Sequence, residues 1–156
     1  MSNQLYNGIF FDKDIVQKLV CDLNLPTLEK PIESPHVTFN FKKEDFPDTI
    51  IGASAEVKII GLGHNDENVG LLVDIPESLK ELYNGNPNIH ITTSISNTGK
   101  AINTGYLDFM MLSDSEQITL EGKLGYMDKS SSLIINGIGE ELGKFDYAEQ
   151  EEILEK

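Results

Sequence analysis

The chain has 156 residues, 39% of them hydrophobic, which is enough to bury the core of a single domain without metals or disulfides. Its 26 acidic residues against 12 basic ones give a formal net charge of −14, so we expect no binding to long nucleic acids, whose phosphates the surface would repel. All the basic residues are lysines, and a phosphate must therefore be held without the bidentate fork of arginine.

The chain lacks the sequence features of a secreted or membrane-spanning protein. No run approaches the ~20 apolar residues of a membrane span, and the N-terminus Met-Ser-Asn-Gln-Leu is not a basic segment followed by an apolar one. The single cysteine, Cys21, cannot form an intramolecular disulfide, and we expect it to be buried as a small hydrophobic residue. We therefore expect a cytoplasmic protein with no membrane partner.

The spacing of apolar residues predicts six or seven strands and about two helices. A strand at residues 6–11 is followed by a helix capped by Asp12 and then by an irregular, proline-rich connection. Further strands are predicted at residues 36–41, 52–63, 69–75, 88–96, 117–124 and 132–136. The strands at 52–63 and 69–75 are expected to pair as a hairpin. A short second helix is predicted from Pro76 to Gly85, and residues 97–106 read as a polar loop. This mixture predicts the α+β class.

The composition changes after Gly139. Residues 140–156 contain seven acidic residues and only two lysines. We assign residues 1–139 to a single domain and residues 140–156 to an acidic C-terminal tail. A solvated tail is the simpler interpretation, and a partner-binding tail is the alternative.

Two predicted strands carry the same pattern, a histidine followed two residues later by a threonine. Strand alternation puts the polar residues of each on one face and the apolar residues on the other. The first polar face holds His36, Thr38 and Asn40, opposite Val37, Phe39 and Phe41. The second holds His90, Thr92, Ser94 and Ser96, opposite Ile89, Ile91 and Ile95.

Such a pair of strands suits phosphodiester chemistry. Histidine and threonine two positions apart share a face at about 6.6 Å between Cα atoms, so one phosphate can contact both side chains. If the strands come together, two imidazoles can act as general base and general acid at the same pH, which predicts a bell-shaped pH profile and no need for a metal. One His-x-Thr pattern usually marks only a half-exposed polar face. Two copies in a chain with three histidines favour a functional site.

The stretches His36-Val37-Thr38-Phe39 and His90-Ile91-Thr92-Thr93 resemble the paired His-x-Thr/Ser motifs of the 2H phosphoesterase superfamily, which includes bacterial RNA 2′,5′-ligase-like proteins and the cyclic phosphodiesterase part of fungal tRNA ligase. The order of elements over residues 5–136 is also similar to the two-lobed fold of that superfamily, in which mainly antiparallel sheets form a central cleft. The resemblance implies that His36 and His90 are catalytic and that Thr38 and Thr92 orient the scissile phosphate. It implies no cofactor.

The resemblance also implies a substrate class. The substrate would be a small nucleotide or oligonucleotide, with either a 2′,3′-cyclic phosphate end, as in RNA processing, or a 3′,5′ linkage next to a free 2′-hydroxyl. Compact members include viral enzymes that degrade the cyclic oligonucleotide signals of bacterial immunity, and a short, acidic chain without arginine suits so small a ligand. The missing arginine and the 54-residue separation of the motifs depart from some members and leave the substrate open.

Two other function classes remain open at this point. The first is a nucleotide-binding module that uses the same pocket as a sponge and does not turn its ligand over. The second is an acidic interaction protein in which residues 140–156 are the functional part.

Two weaker candidates complete the predicted site. Lys100 follows the second motif closely enough to contact a phosphate, although Gly99-Lys100 is not a P-loop. Tyr106 is a candidate for stacking on a base, whereas core packing explains Tyr6 and Phe10 equally well.

A metal site is not predicted. His64 stands near Asp66 and Glu67 in a polar loop, but this loop lacks the ligand spacing of a zinc or a calcium site. We therefore expect no bound metal.

Overall fold

The computed structural model describes residues 3–139 and the backbone of residues 144–145. The described strands are β1 (Gln4–Phe10), β2 (Lys30–Pro31), β3 (His36–Phe41), β4 (Ser54–His64), β5 (Asn68–Asp74), β6 (His90–Ile95), β7 (Met110–Met111), β8 (Ile118–Asp128), β9 (Leu133–Ile134) and β10 (Lys144–Phe145). The described helices are α1 (Lys13–Asp22) and α2 (Glu77–Lys80), with short 3₁₀ helices at Asp48–Ile50, Ala101–Tyr106 and Asp114–Glu116.

One sheet joins these strands. Its main path runs β2-β6-β5-β4-β8-β1-β3, while β7 and β10 pair with β4 and β9 pairs with β8. Every pair is antiparallel except β10 with β4, so the predicted α+β class with mainly antiparallel strands is confirmed. Although β3 and β6 lie far apart along this path, they contact each other. The sheet is therefore curled, and the two histidine strands meet.

The apolar faces of the sheet and of α1 form one core. Fully buried side chains come from most of the long strands, among them Ile9, Phe39, Ile59, Leu71, Ile91 and Leu124. Val16 and Val20 cover this core from α1, whose N-terminus is capped by the Asp12 carboxylate accepting from the Ile15 N–H. Burial of such aliphatic side chains supplies most of the favourable free energy of folding.

Six described strands are six or more residues long, namely β1, β3, β4, β5, β6 and β8, and they correspond to the first six strands predicted from the sequence. The predicted hairpin of β4 and β5 is confirmed. Three details of the prediction are wrong. Residues 132–136 contribute only a two-residue strand, and the predicted polar loop at 97–106 contains a 3₁₀ helix. Helix α2 follows Pro76 as predicted but ends at Lys80, because the chain then turns and the Asn84 N–H donates to the Phe39 carbonyl instead of continuing the helix.

Cys21 is exposed, so the prediction of a buried cysteine is wrong. Helix α1 buries Val16 and Val20, which are four residues apart and therefore lie on one face. Cys21 is one residue further along, where the helix has turned about 100° away from the core.

Most of the predicted acidic tail, residues 140–143 and 146–156, lies outside the described residues. The backbone of Lys144–Phe145 pairs in parallel with Ser54–Ala55 at the start of β4. The domain boundary at residue 139 stays a prediction. In the part of the chain that the structure describes, no helix is both long enough and apolar enough to cross a membrane.

Candidate active site

A β-bulge follows the first histidine motif. In the pairing of β3 with β1, Thr38 lies opposite Gly8 and Asn40 lies opposite Asn7. Phe39 is the extra residue between them. A bulge of this kind bends the strand and reverses the faces of the residues beyond it.

The second motif has the same bulge. In the pairing of β6 with β5, Thr92 lies opposite Gly70 and Ser94 lies opposite Val69. Thr93 is the extra residue, as Phe39 is in β3. Each His-x-Thr motif is thus followed at once by a bulge, and each threonine lies opposite a glycine.

The two glycines are required by close approach of the neighbouring chain. A Cβ atom on Gly8 would overlap the Val37 carbonyl oxygen. A Cβ atom on Gly70 would overlap the Thr104 methyl group and lie 3.0 Å from the Ile91 carbonyl oxygen. Sequence reasoning missed both residues, and their signal is a glycine inside an otherwise apolar strand.

The faces predicted for the residues after the first bulge are wrong. Asn40 was predicted to lie beside His36, but it is only 3% exposed and donates to the Asn7 side chain and the Leu82 carbonyl. Phe41 was predicted to face the core, but it is 55% exposed and stacks on Tyr6 with 6.4 Å between ring centroids.

The same correction applies to the end of the second motif. Ser94 and Ser96 were predicted to lie beside His90, but both are buried. The Ser94 hydroxyl accepts a hydrogen bond from the Leu28 N–H, in the connection that follows α1. The polar face of each motif is therefore shorter than simple alternation predicts.

The two motifs line one cleft of about 740 Å³. His36, Thr38, His90 and Thr92 all contribute to its wall, so the structure brings together the four residues of the paired motifs. The remaining lining residues are Tyr6, Ile32, Phe39, Phe41, Lys43, Tyr83, Asn84, Gly85, Asn86, Pro87, Ala101, Ile102 and Tyr106.

Both histidine rings are oriented by the same hydrogen bond. His36 Nδ1 lies 2.8 Å from the Ser34 carbonyl oxygen, and His90 Nδ1 lies 2.7 Å from the Asn88 carbonyl oxygen. Because a carbonyl oxygen only accepts, each Nδ1 carries the hydrogen in these bonds. In the neutral rings this leaves the lone pair on Nε2, the atom that can accept or return a proton.

Burial lowers the pKa of both histidines below their ordinary value of 6.5. For His36, desolvation outweighs the opposing effect of the Ser34 carbonyl, and the charge of His90 lowers the pKa further. For His90, desolvation likewise outweighs the effect of the Asn88 carbonyl. Both imidazoles line the same cleft.

Aromatic rings pack against His36. Its ring centroid lies 4.7 Å from that of Tyr6 and 5.1 Å from that of Phe10. Burial raises the pKa of the Tyr6 hydroxyl, which therefore stays protonated at neutral pH. Phe10 is a core residue, whereas Tyr6 belongs to the cleft wall as well.

A buried polar network holds the second motif. The Thr92 hydroxyl donates to Thr104 Oγ1 at 2.8 Å, and Asn68 Nδ2 donates to Thr104 Oγ1 at 2.9 Å and to the Lys100 carbonyl at 2.8 Å. These bonds fix the 3₁₀ helix Ala101–Tyr106 against β5 and β6, on the wall of the cleft. Thr38 differs, since its half-buried hydroxyl makes no hydrogen bond within the described part of the chain and can bind a ligand directly.

Glycine also lets this 3₁₀ helix approach the His90 side chain. A Cβ atom on Gly105 would lie 3.0 Å from His90 Cε1. The Gly105 carbonyl accepts a hydrogen bond from Asn88 Nδ2, and the Asn88 carbonyl is the group that orients His90. The helix and the ring are therefore positioned together.

The weaker candidates fall in different places. Tyr106 lines the cleft and is 76% exposed, which leaves its ring available to a ligand. Lys100 is exposed and its side chain does not line the cleft, although its backbone carbonyl accepts a hydrogen bond from Asn68 in the network that holds the second motif. Lys43 lines the cleft instead and was missed, because it follows the first motif beyond the predicted strand.

The described residues contain no group of three or more His, Cys, Asp or Glu side chains that could hold a metal ion. His64 is the exposed last residue of β4, before the turn that leads to β5.

The cleft differs in charge from the rest of the molecule. Although 26 of the 156 residues are acidic, no Asp or Glu occurs among the described residues that line it. Its ionisable groups are two histidines, one lysine and three tyrosines. For Tyr83, burial raises the pKa to about 12, so this hydroxyl also stays neutral. The wall therefore suits an anion.

No protein-family model matches the chain, and no curated protein is found to match it. The assignment of a function therefore depends on the geometry and charge of this cleft.

Proposed function

We propose that the protein is a metal-independent phosphodiesterase of the 2H type, which cleaves a small nucleotide or oligonucleotide with His36 and His90 as the acid-base pair. The observation that carries the proposal is the convergence of two equivalent His-x-Thr motifs on one cleft. Under this proposal, each motif with its glycine-paired bulge represents one lobe of the two-lobed 2H fold.

The reaction needs two proton transfers, which the two Nε2 atoms can provide. One imidazole takes the proton of a ribose 2′-hydroxyl while its oxygen bonds to the adjacent phosphorus. The bond from phosphorus to the 5′-oxygen breaks, and the other imidazole gives that oxygen a proton. The products are a 2′,3′-cyclic phosphate and a free 5′-hydroxyl. Water can open a cyclic phosphate through the same two proton transfers.

The threonines and the charge of the wall support the binding of the phosphate. Under this proposal, the Thr38 hydroxyl, which makes no hydrogen bond within the described part of the chain, donates to a phosphate oxygen, and Thr92, whose hydroxyl donates to Thr104 Oγ1, contributes to the wall of the same cleft. The absence of carboxylates from the described lining lowers the electrostatic penalty that a chain of net charge −14 otherwise imposes on an anion.

The first test is turnover of a substrate panel in the presence of EDTA. The panel contains 2′,3′-cyclic mononucleotides, 2′,5′- and 3′,5′-linked dinucleotides, and cyclic di- and trinucleotides. We expect wild-type protein to consume at least one class, and His36→Ala and His90→Ala each to lower kcat by about 10²–10⁴-fold, the usual contribution of a general acid or base. His64→Ala is the matched control, because this exposed histidine lies outside the cleft.

Other outcomes separate the alternatives. Wild-type protein that binds a member of the panel without consuming it, and loses affinity in His36→Ala, is a binding module and not an enzyme. Turnover that EDTA abolishes, or that both histidine variants retain, contradicts the two-histidine mechanism.

A further inference from the structure

A second depression lies beside the cleft and is lined by lysines. It measures about 500 Å³, and its lining residues are Gln4, Leu5, Lys42, Lys43 and Lys129. Three of the 12 lysines of the chain thus converge on one small surface, whereas the chain as a whole carries 26 acidic residues. Such a local positive surface on an acidic protein favours the binding of an anionic ligand.

Within the described part of the chain, no ion pair neutralises the charges of this lysine depression. The ion pairs found there include those of Lys13, Lys18 and Lys80, which lie outside the depression. The neighbouring Asp128 carboxylate accepts hydrogen bonds from the backbone N–H groups of Ser130 and Ser132.

The two carboxylates that follow Lys43 in the chain, Glu44 and Asp45, line neither the depression nor the cleft. The Glu44 carbonyl accepts from Asn7 Nδ2, which holds this part of the chain against β1. The described wall of the depression is thus basic without a carboxylate in it.

The lysine depression adjoins the cleft at Lys43, which lines both. Lys43 Nζ donates to the Asn84 carbonyl at 3.1 Å, and Asn84 also belongs to the cleft wall. Lys42 has a positive φ of 56°, and its Nζ lies 5.3 Å from the ring centroid of Phe41. A ligand chain that leaves the cleft past Phe41 therefore meets these two lysines in succession.

We propose that the lysine depression binds non-scissile phosphates, and that the preferred substrate is accordingly an oligonucleotide with phosphates beyond the one cleaved. This inference rests on the proposed phosphodiesterase for the position of the scissile phosphate. A 2′,3′-cyclic mononucleotide has no second phosphate and leaves the depression empty. The charge-assisted hydrogen bonds from lysine to phosphate then select for length.

The test measures binding with ligands that the proposed reaction cannot cleave. Thymidine deoxyoligonucleotides lack the 2′-hydroxyl nucleophile, so their affinity reports binding alone. The probes are a dinucleotide with one phosphate, a linear tetranucleotide with three, and a cyclic tetranucleotide. We expect the full chain to bind one of the tetranucleotides at least about tenfold more tightly than the dinucleotide. The better tetranucleotide shows whether the extra phosphates come from a linear or a cyclic ligand.

Salt dependence and variants locate the extra contacts. For single strands, the plot of log K against log salt steepens by about 0.7 for each phosphate neutralised, so the slope must be steeper for the tetranucleotide. Lys42→Gln and Lys129→Gln should each reduce the affinity advantage of the tetranucleotide and its slope. Lys18→Gln removes the same charge from helix α1, where Lys18 pairs with Asp22, and should keep both.

The possible outcomes are distinct. Equal affinity for the dinucleotide and both tetranucleotides, or equal losses in Lys129→Gln and Lys18→Gln, overturns the lysine depression as a phosphate site, whether or not the protein is an enzyme. Length-dependent binding that requires Lys42 and Lys129 supports the depression even if no ribonucleotide is turned over. In that case only the proposed reaction fails.

Discussion

The two cleft histidines combine burial with a backbone hydrogen bond, and burial dominates. The pKa of each imidazole is lowered below 6.5. Both limbs of the pH profile of kcat/KM are therefore shifted in the same direction relative to a pair of histidines with the ordinary pKa. The base must be neutral, so its lowered pKa moves the acid limb to lower pH. The acid must be protonated, so its lowered pKa also moves the alkaline limb to lower pH. We predict a bell-shaped kcat/KM profile with its maximum below pH 6.5.

A substitution next to the His36 ring shows which limb of the pH profile His36 controls. Tyr6→Ala removes the aromatic ring that packs 4.7 Å from His36 and admits water to it, so the pKa of His36 should rise towards its ordinary value. Only one limb of the kcat/KM profile should then move to higher pH. The comparison is made with the substrate that wild-type protein turns over. A wild-type maximum at or above pH 6.5 would contradict the prediction.

At the scale of single elements, the molecule uses one device twice. A strand containing glycine pairs with a His-x-Thr strand, and a bulge follows the threonine. Sequence periodicity could predict the strands and the shared face of His36 with Thr38, because alternation holds up to the bulge. It could not predict that Asn40 is buried and Phe41 is exposed. A bulge is a property of two paired strands, and the pairing of Thr38 with Gly8 is not visible in either strand alone.

The 3₁₀ helix Ala101–Tyr106 depends on buried polar groups, which leads to a testable prediction. Thr104→Val keeps the shape of the side chain but removes the oxygen that accepts from Thr92 and Asn68. We expect the free energy of unfolding to fall by about 1–3 kcal/mol, because buried polar groups lose a partner. We also expect kcat/KM to fall, since the wall beside His90 loosens. Chemical denaturation and steady-state kinetics on the same samples measure both effects.

Two variants control for a general loss of stability. Thr104→Ser restores the hydroxyl and should recover kcat/KM. Thr93→Val removes another buried hydroxyl of β6, which donates to the Val69 carbonyl and does not line the cleft. It should cost stability without the same loss of kcat/KM. If Thr104→Val is destabilised but retains wild-type kinetics, the network holds the fold and does not position the site.

At the scale of the whole molecule, the site exists because the sheet curls. The histidine strands lie towards opposite ends of the main path and meet only through that curvature. The two motifs indicated that these strands should come together, but the strand order that achieves it depends on non-local pairing. The same holds for the two lysines that follow the motifs in sequence: Lys43 lines the cleft and the Lys100 side chain does not, and only the tertiary structure distinguishes them.

Removal of the acidic segment after Gly139 tests the alternative that the protein is an acidic interaction protein whose functional part is residues 140–156. Among the described residues, none after Tyr106 lines the cleft, so removal of residues 140–156 should leave kcat/KM within about twofold of wild type, with a loss of about 1 kcal/mol in the free energy of unfolding from the missing pairing with β4. Changing the seven acidic residues of the segment to their amides keeps its length and separates charge from pairing. If truncation leaves turnover intact but removes the biological effect of the protein, the tail carries that effect and the acidic interaction protein becomes the better description. If turnover and effect both survive, the function resides in the cleft.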